Sequence, residues 1–324
     1  MTQLVPVSSP LQQALAGLPP VAPERGALAP GALLAEDLFF PTDLPARAVA
    51  LREGVGVAAS DLMGASAQMP LPIAGALLRP GDALAPGQNA VLPPDAIGPG
   101  PVALREVQPG EGIRRAGHDG RHGDPIARAG ERLTARTLLV ARLAGLDQAL
   151  LRRPRVQLAL DCPDLAGFAA HWARAQGALV VAAQPDLLLR VAASHTPRLA
   201  LAPGEAGWIA REGAGLVIDL PPRFDSALAV LLALAQPALA ALSGRALPQR
   251  PVTLTRKIAS AIGQTELVLL RPDPEGWHPF AAGLVTLSAL AQARAYALIP
   301  PEIEGYPAGA TVPAYPLDPE QDFA

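Results

Sequence analysis

The spacing of apolar positions changes along the chain. In the first 130 residues, prolines and glycines interrupt the apolar residues so often that long helices are disfavoured and short strands and turns are favoured. Residues 55–58, 90–92 and 101–107 form runs of strand length, whereas PLQQALAGL near the start predicts a short helix. The pattern therefore predicts a mainly β amino-terminal part, built as a small barrel or a curled sheet.

Beyond residue 136, apolar residues recur at helical spacing. TLLVARLAGLDQALL predicts a connecting helix over 137–151. Strands and helices then alternate, which predicts a parallel sheet covered by helices. The predicted strands are 155–160, 178–183, 197–201 and 215–220, and the predicted helices are 164–177, 185–193 and a long helix with Asp225 as its N-cap.

The long helix is expected to lie in a protein core. Its most apolar run, 226–242, is shorter than the roughly 20 residues of a membrane span. It also contains Gln236 and Pro237, which a membrane span disfavours. We expect no membrane association.

These patterns predict a multidomain α/β plus β fold. It has β-rich amino-terminal domains, a shortened parallel α/β domain and a small carboxyl-terminal β-barrel, in which TLSALAQAR is a helical stretch. The expected domains are a connecting domain of residues 1–46 and 131–154, a β-rich domain at 47–130, the α/β domain at 155–246 and the barrel at 250–318. The amino-terminal helix is a candidate to pack on the α/β domain.

Composition excludes several classes of protein. The 324 residues carry a net charge of -3 and 17% charged residues, so there is no basic stripe for nucleic acid. The single cysteine, Cys162, excludes an internal disulfide framework and a cysteine-rich zinc site. The start, MTQLVPVSSP, lacks the basic and apolar regions of a secretory signal, so a cytoplasmic location is expected.

A polar, glycine-rich stretch stands out at residues 110–124, GEGIRRAGHDGRHGD. Arg114 and Arg115 beside several glycines suit a phosphate or pyrophosphate, because a guanidinium binds such oxygens bidentately. The alternative is a solvent-exposed turn with surface arginines, in which Asp119 hydrogen-bonds its own backbone. The pair His118 and His122 has metal-ligand spacing only on a helix, which the surrounding glycines disfavour. The remaining histidines are scattered, at 171, 195 and 278.

This stretch is one of three that resemble, in order, motifs of the molybdopterin molybdenumtransferase family, to which the gephyrin E domain belongs. The family loop G-x-N-I-R-x-x-G-E-D-I-x-x-G is similar to residues 110–123, with His118 where glutamate is usual. Residues 33–62 resemble the family's L-A-E-D motif and the segment that follows it. GQTELVLLR and GLVTLSALAQARAYALIPP resemble its carboxyl-terminal domain.

The resemblance implies a homodimer that binds molybdopterin or the molybdenum cofactor. Family members hydrolyse adenylylated molybdopterin with a divalent cation and insert molybdate. The implied catalytic residues are Glu53, in place of the aspartate of M-D-G-Y-A, and Asp119. The implied cofactor-binding residues are Arg114, Arg115, Gly117, Pro221 and Ser288.

Two more residues of the carboxyl-terminal motifs are candidates for the substrate cleft, namely Thr286 and Glu266. Each candidate there also has an ordinary structural alternative. Ser288 could stand on a helical turn, and Glu266 on a strand surface.

The α/β segment departs from the family pattern. RVQLALDCPDL places Cys162 and Pro163 where the family has a threonine-glycine-aspartate run, and Asp164 is a candidate to replace the glutamate that follows it in the family. Upstream, Pro80 replaces the threonine of I-M-T-G-A. Hard cations need several oxygen ligands, so these changes argue against a metal site and make Mg²⁺ binding doubtful.

Three hypotheses remain open from the sequence. The first is a molybdenumtransferase-like protein with reduced or lost activity. The second is a non-catalytic scaffold or chaperone that holds the pterin cofactor and pairs with a molybdoenzyme or a biosynthetic partner. The third is a structural protein that keeps only the family's dimer.

Overall fold

The computed structural model describes residues 4–191 and 197–317. The chain divides into two compact units, which we call the large unit and the small unit. The large unit comprises residues 1–36, 129–134 and 148–324, and the small unit comprises 37–128 and 135–147. The finer division into four domains stays a prediction, and His195 lies outside the described residues.

The helices come mainly from the large unit. The described α-helices are α1 Ser8–Leu15, α2 Ala135–Leu143, α3 Pro163–Ala175, α4 Phe224–Val230, α5 Gln236–Leu242 and α6 Leu287–Gln292. A π-helical turn, Leu231–Ala235, joins α4 to α5. The predicted short helix at the start of the chain is confirmed by α1.

The strands before α2 are short. They are β1 Leu4–Val5, β2 Glu24–Ala27, β3 Leu33–Leu34, β4 Leu38–Phe39, β5 Val49–Ala50, β6 Gly54–Val57, β7 Leu71–Pro72, β8 Leu77–Leu78, β9 Ala90–Leu92, β10 Val102–Ala103, β11 Ile113–Arg114 and β12 Pro125–Ala127.

The later strands belong to the large unit. They are β13 Gln148–Arg152, β14 Arg155–Ala159, β15 Leu179–Val181, β16 Leu187–Val191, β17 Arg198–Leu199, β18 Leu201–Ala202, β19 Trp208–Glu212, β20 Gly215–Leu220, β21 Arg250–Thr253, β22 Ile258–Ala259, β23 Thr265–Asp273, β24 Gly276–Pro279, β25 Ala295–Ile299, β26 Gly305–Tyr306 and β27 Thr311–Pro316.

The small unit consists of small antiparallel ladders. Its largest sheet has the order β8-β6-β9, and two-stranded ladders join β4 to β12, β5 to β11 and β7 to β10. Val55, Val57 and Leu92 lie in the core beneath the sheet. Strands at the predicted positions are confirmed, but they form several small sheets instead of one curled sheet.

A five-stranded sheet organises the α/β part of the large unit. Its order is β15-β14-β16-β20-β19, and all its pairs are parallel except β20 with β19. One face buries Val156, Leu189 and Ile218 in a core shared with α3, α4 and α5. On the opposite face, Leu188 and Arg190 are only partly buried. The predicted parallel sheet is therefore confirmed, with β19 as an unpredicted antiparallel edge strand. The predicted strand at 197–201 does not join it, because it forms β17 and β18, which pair with β1 and β23.

One predicted helix is wrong, and another is wrong in part. Residues 185–193 were expected to be helical, but Leu187–Val191 forms the central strand β16, paired with both β14 and β20. The predicted helix over 137–151 ends at Leu143, and Gln148–Arg152 forms β13 between β2 and β3. Both segments are short apolar runs, whose spacing does not distinguish a helix from a buried strand.

The long helix lies in the core, as predicted, but Asp225 does not cap it. The N-cap is Arg223, and Asp225 is a residue of the first turn. Burial alone would raise the pKa of Asp225, but hydrogen bonds from Arg223 and Ser226 hold it below its ordinary value. By length and composition Phe224–Leu242 could cross a membrane, yet 83% of its apolar window is buried inside the protein.

The carboxyl-terminal strands form a sheet that nearly closes on itself. Its path is β18-β23-β25-β27-β21, and β24 pairs with β23. A bridge between Leu254 and Trp277 links the end of β21 to β24, so that β24, β23, β25, β27 and β21 form a closed ring, as a small barrel requires. Tyr296 of β25 lies in the same core as the parallel sheet.

Candidate functional site

The glycine-rich stretch 110–124 is anchored to residues 40–45 in the small unit. The amide of Gly117 donates to the carbonyl of Pro45 at 3.0 Å, and that of Asp119 donates to the carbonyl of Leu44 at 2.9 Å. In return, the amide of Leu44 donates to the carbonyl of Gly120 at 2.8 Å. The stretch is therefore held in one shape by backbone bonds, and we call it the arginine loop.

Arg114 and Asp119, two predicted site residues, form an ion pair in this loop. Arg114 Nη1 donates to Asp119 Oδ2 at 3.0 Å, and both side chains are partly exposed. Arg115 is exposed, and its guanidinium makes no hydrogen bond or ion pair among the described residues. Its guanidinium lies over Gly110, where Nη2 is 2.8 Å from the position a Cβ would take. Of the three arginines of the loop, Arg114 is therefore paired, whereas the guanidinium groups of Arg115 and Arg121 have no described partner.

Gly117 stands at a tight turn of the loop. Its φ is +67°, a conformation that favours glycine, and a Cβ there would lie 3.4 Å from Asp43 Oδ2. Asp43 Oδ1 accepts a hydrogen bond from the His122 amide at 2.9 Å. The structure gives Gly117 a shaping role, and His118 and His122 do not lie on a helix.

Glu53 does not join this arrangement by direct contact. It is exposed at the residue before β6, and its carboxylate has no hydrogen bond or ion pair within the described part of the chain. The structure thus brings together Arg114 and Asp119, with Arg115 and Gly117 in the same loop. Glu53 remains a separate candidate.

Glu111, which the sequence analysis did not single out, accepts hydrogen bonds from two arginine side chains. Glu111 Oε1 accepts from Arg105 Nη2 at 2.9 Å and from Arg52 Nη2 at 2.8 Å. The bond from Arg105, then that from Arg52 and that from the Gln108 amide lower the pKa of Glu111 to about 2. No local motif could reveal this network, because Arg52 lies 59 positions away from Glu111.

Replacing Glu111 by glutamine is expected to destabilise the small unit by about 1–2 kcal/mol at neutral pH. A carboxylate with a lowered pKa contributes fully above its ordinary value of 4.5, and the contribution disappears as pH falls towards 2. Solvent screening keeps the effect modest, because the two arginines are 37% and 43% exposed.

Pepsin digestion of the full chain between about pH 5 and pH 2 measures this loss. Wild type and Glu111→Gln should differ most at the upper end and converge as the pH approaches the pKa of Glu111. Glu53→Gln, which removes an unpaired carboxylate, serves as the control. A constant ratio of cleavage rates across this range would contradict the assigned role of Glu111.

A cavity in the large unit lies at the carboxyl edge of the parallel sheet. In open α/β sheets this edge is where ligands bind. The cavity, which we call cavity A, measures about 370 Å³ and lies where α3, α4 and α6 begin. Three segments that the sequence analysis compared with family motifs meet at this cavity. Its lining includes Cys162 and Asp164 from the first, Pro222 and Phe224 from the second, and Leu287 from the third.

The predicted residues near cavity A have mainly structural positions. Pro221 is buried beside Pro222, which lines the cavity. Ser288 is exposed, and its Oγ accepts a bond from Gln292 Nε2 at 3.3 Å within α6. Thr286 is the N-cap of α6, where its Oγ1 accepts from the Ala289 amide at 3.1 Å.

Glu266 lies in β23, but it is buried and does not lie on the strand surface. Its Oε2 accepts a hydrogen bond from the Ala261 amide at 3.1 Å. The structural alternative for this residue was therefore wrong about exposure. Glu266 is not among the residues that line cavity A.

An ion pair between a partly exposed arginine and a buried aspartate lies near the same edge of the sheet. Arg190 Nε donates to Asp219 Oδ1 at 2.6 Å, and this bond is the main reason why the pKa of Arg190 is raised. Arg190 Nη2 also reaches Glu212 at 3.2 Å. Asp219 begins the segment DLPPRFDSA, in which the family has a glycine at this position.

Comparison with known proteins identifies the amino-terminal region. Residues 5–145 match the family model for the MoeA N-terminal region, domains I and II. The amino-terminal region of the chain therefore belongs to the MoeA family. No curated protein sequence matches the chain significantly.

Solved MoeA structures share the fold over nearly the whole chain. A molybdopterin biosynthesis MoeA protein from Pyrococcus horikosii has a TM-score of 0.71 at 17% identity, over 97% of this chain and 99% of that chain. One from Pyrococcus horikoshii OT3 has a TM-score of 0.67 at 18% identity, over 96% and 99%. A molybdenum cofactor biosynthesis protein from Pyrococcus furiosus has a TM-score of 0.59 at 17% identity, also over 96% and 99%.

The lining of cavity A does not fit a phosphate with a divalent cation. Hard cations need several oxygen ligands, and the cavity offers one carboxylate, Asp164, and one thiol, Cys162. Within residues 4–191 and 197–317, no group of three or more His, Cys, Asp or Glu side chains could hold a metal ion. We therefore derive no reaction step through a metal in cavity A.

Proposed function

We propose that the chain works in molybdenum cofactor biosynthesis as a MoeA-like protein that binds the anionic pterin cofactor without efficient molybdate insertion. The arginine loop carries the proposal. It lies within the region that matches the MoeA family model, and it holds Arg115 exposed and unpaired beside the Arg114–Asp119 ion pair.

The chemistry of the loop suits a phosphate group. A guanidinium without an internal acceptor can donate two parallel hydrogen bonds to phosphate oxygens. In our proposal Arg115 is the main donor, and Arg114 contributes in an orientation fixed by Asp119. Gly117 shapes the turn between Arg115 and Asp119. Pro221 and Ser288 remain proposed cofactor-binding residues.

The reduced activity in this proposal follows from the donor groups of cavity A. They supply too few oxygen ligands for the cation that the family's reaction uses. In our proposal the chain is a homodimeric, cytoplasmic holder of the cofactor that pairs with a molybdoenzyme or with a biosynthetic partner. Glu53 and Asp119 would be its catalytic residues only if turnover is found.

Replacing Arg115 by glutamine is expected to weaken binding of molybdopterin by about tenfold, because one charge-assisted pair of hydrogen bonds is lost. Isothermal titration of the full chain under anaerobic conditions measures this change. Arg136→Gln, which removes an exposed arginine of α2 in the same unit, is the matched control and should bind normally. Equal affinities of the Arg115 and Arg136 variants would refute the proposal.

Substitution of Asp119 distinguishes a binding protein from an active enzyme. If it only orients Arg114, then Asp119→Asn removes a negative charge and should leave phosphate binding equal or tighter. The same titration with adenylylated molybdopterin, Mg²⁺ and molybdate detects turnover. Turnover that is lost in Asp119→Asn would instead establish the chain as an active transferase.

A further inference from the structure

A second cavity, cavity B, continues from cavity A within the large unit. It measures about 270 Å³, and the two cavities share Phe168, Leu228 and Leu290 in their linings. Together they form one groove beside α3, α4 and α6. Three large apolar side chains at cavity A are exposed, namely Phe168 at 41%, Phe224 at 42% and Leu287 at 69%.

One residue that lines cavity B carries a hydrogen-bond donor without a partner among the described residues. Trp172 lines it and is only 5% exposed, and the indole Nε1 is buried without an acceptor among the described residues. A buried donor without a partner carries a cost comparable to a lost hydrogen bond. An acceptor atom of a bound molecule would remove that cost.

The charges of the groove are divided between its two ends. The described lining of cavity B includes His171 and Arg294 but no acidic residue. Arg294 Nη1 donates to the Ala293 carbonyl at 2.9 Å, and no other described acceptor receives a bond from this guanidinium. Cavity A has Asp164 as its one charged side chain. An anionic group is therefore favoured in cavity B and disfavoured in cavity A.

We propose that this groove binds a small apolar monocarboxylate, with its carboxylate in cavity B and its hydrocarbon part in cavity A. Trp172 Nε1 and the Arg294 guanidinium would donate to the carboxylate. Leu228, Leu290 and the exposed rings would cover the apolar part, and the combined size is typical of small-molecule sites. This site is separate from the arginine loop, and the proposal does not rest on the proposed function.

Isothermal titration of the full chain with decanoate tests the site. We expect saturable binding of one molecule per chain. Decanol, which has the same hydrocarbon length but no charge, should bind at least about tenfold more weakly, because charge-assisted hydrogen bonds are the stronger ones. Equal binding of the two probes, or no saturable binding of decanoate, would overturn the proposal.

Two variants identify the donors. Trp172→Phe keeps an aromatic ring but removes the donor. Arg294→Gln changes an exposed residue, so we expect this variant to fold normally. Each should weaken decanoate about tenfold. Trp277→Phe makes the same chemical change outside both cavities and should bind normally. Wild-type affinity in both groove variants overturns the assignment.

The two proposals fail separately. Arg115→Gln should bind decanoate like wild type, since Arg115 belongs to the small unit. If the arginine loop does not bind molybdopterin, decanoate titration still decides the groove. If decanoate does not bind, the result for Arg115 is unaffected.

Discussion

Substitution of Gly54 by alanine is expected to destabilise the small unit by about 3–4 kcal/mol. A Cβ at this position would lie 2.2 Å from the Leu92 carbonyl oxygen and 2.7 Å from Val91 Cγ1. Leu92 is a fully buried residue of β9, which is hydrogen-bonded to β6, so its backbone has no room to retreat. The φ of +157° at Gly54 adds conformational strain for any residue with a side chain.

Hydrogen exchange of peptides from residues 37–128 in the full chain measures this effect. Tryptophan fluorescence cannot, because all three tryptophans, at 172, 208 and 277, belong to the large unit. Gly81→Ala is the matched control, since Gly81 has a φ of +93° but nothing within 4 Å of its Cβ position. It should cost only the conformational part, about 1–2 kcal/mol. Equal protection from hydrogen exchange in the Gly54→Ala and Gly81→Ala variants would show that the strands move apart and remove the clash with Leu92.

Gly54 also determines the position of Glu53, the neighbouring candidate site residue. Glu53 directly precedes it, where the family motif has an aspartate before glycine. A shift of β6 at Gly54 would therefore move the Glu53 carboxylate as well. Displacements of about an ångström matter for a group that must orient a ligand. Loss of any activity in Gly54→Ala must accordingly be compared with Glu53→Gln before a role is assigned.

Elements with a clear period were predictable from the sequence. Helix α3 has apolar residues on one face, and strand β20 is an apolar run between turn residues. Strand β16 was not predictable, because LLLRV has good helix formers and only tertiary pairing with β14 and β20 makes it a strand. Propensity is a weak prior beside such pairing.

The candidate site shows the same division. The ion pair of Arg114 and Asp119 joins residues five positions apart, and a local motif pointed to both. The bonds of Glu111 to Arg52 and the groove lined by Trp172 and Arg294 depend on long-range contacts. A single sequence contains no pattern that brings these residues together.

The π-helical turn before Pro237 depends on a tyrosine from the barrel. The Gln236 amide donates to the Leu231 carbonyl, five residues back. The next bond of this type would come from residue 237, but proline has no amide hydrogen. The Leu232 carbonyl therefore needs another donor, and the Tyr296 hydroxyl lies 3.3 Å from it and 3.1 Å from Gln236 Oε1. Burial raises the pKa of Tyr296, so the hydroxyl keeps its proton.

Tyr296→Phe is expected to destabilise the large unit by about 2–3 kcal/mol, because it removes the one hydroxyl proton that the buried acceptors on Leu232 and Gln236 share. Urea unfolding of the full chain, followed by tryptophan fluorescence, measures the loss in this unit. Pro237→Ala supplies an amide hydrogen that can reach the Leu232 carbonyl. The tyrosine substitution should therefore cost about 1 kcal/mol less in the Pro237→Ala background. Strictly additive effects of the two substitutions would show that the hydroxyl does not replace the amide that proline lacks.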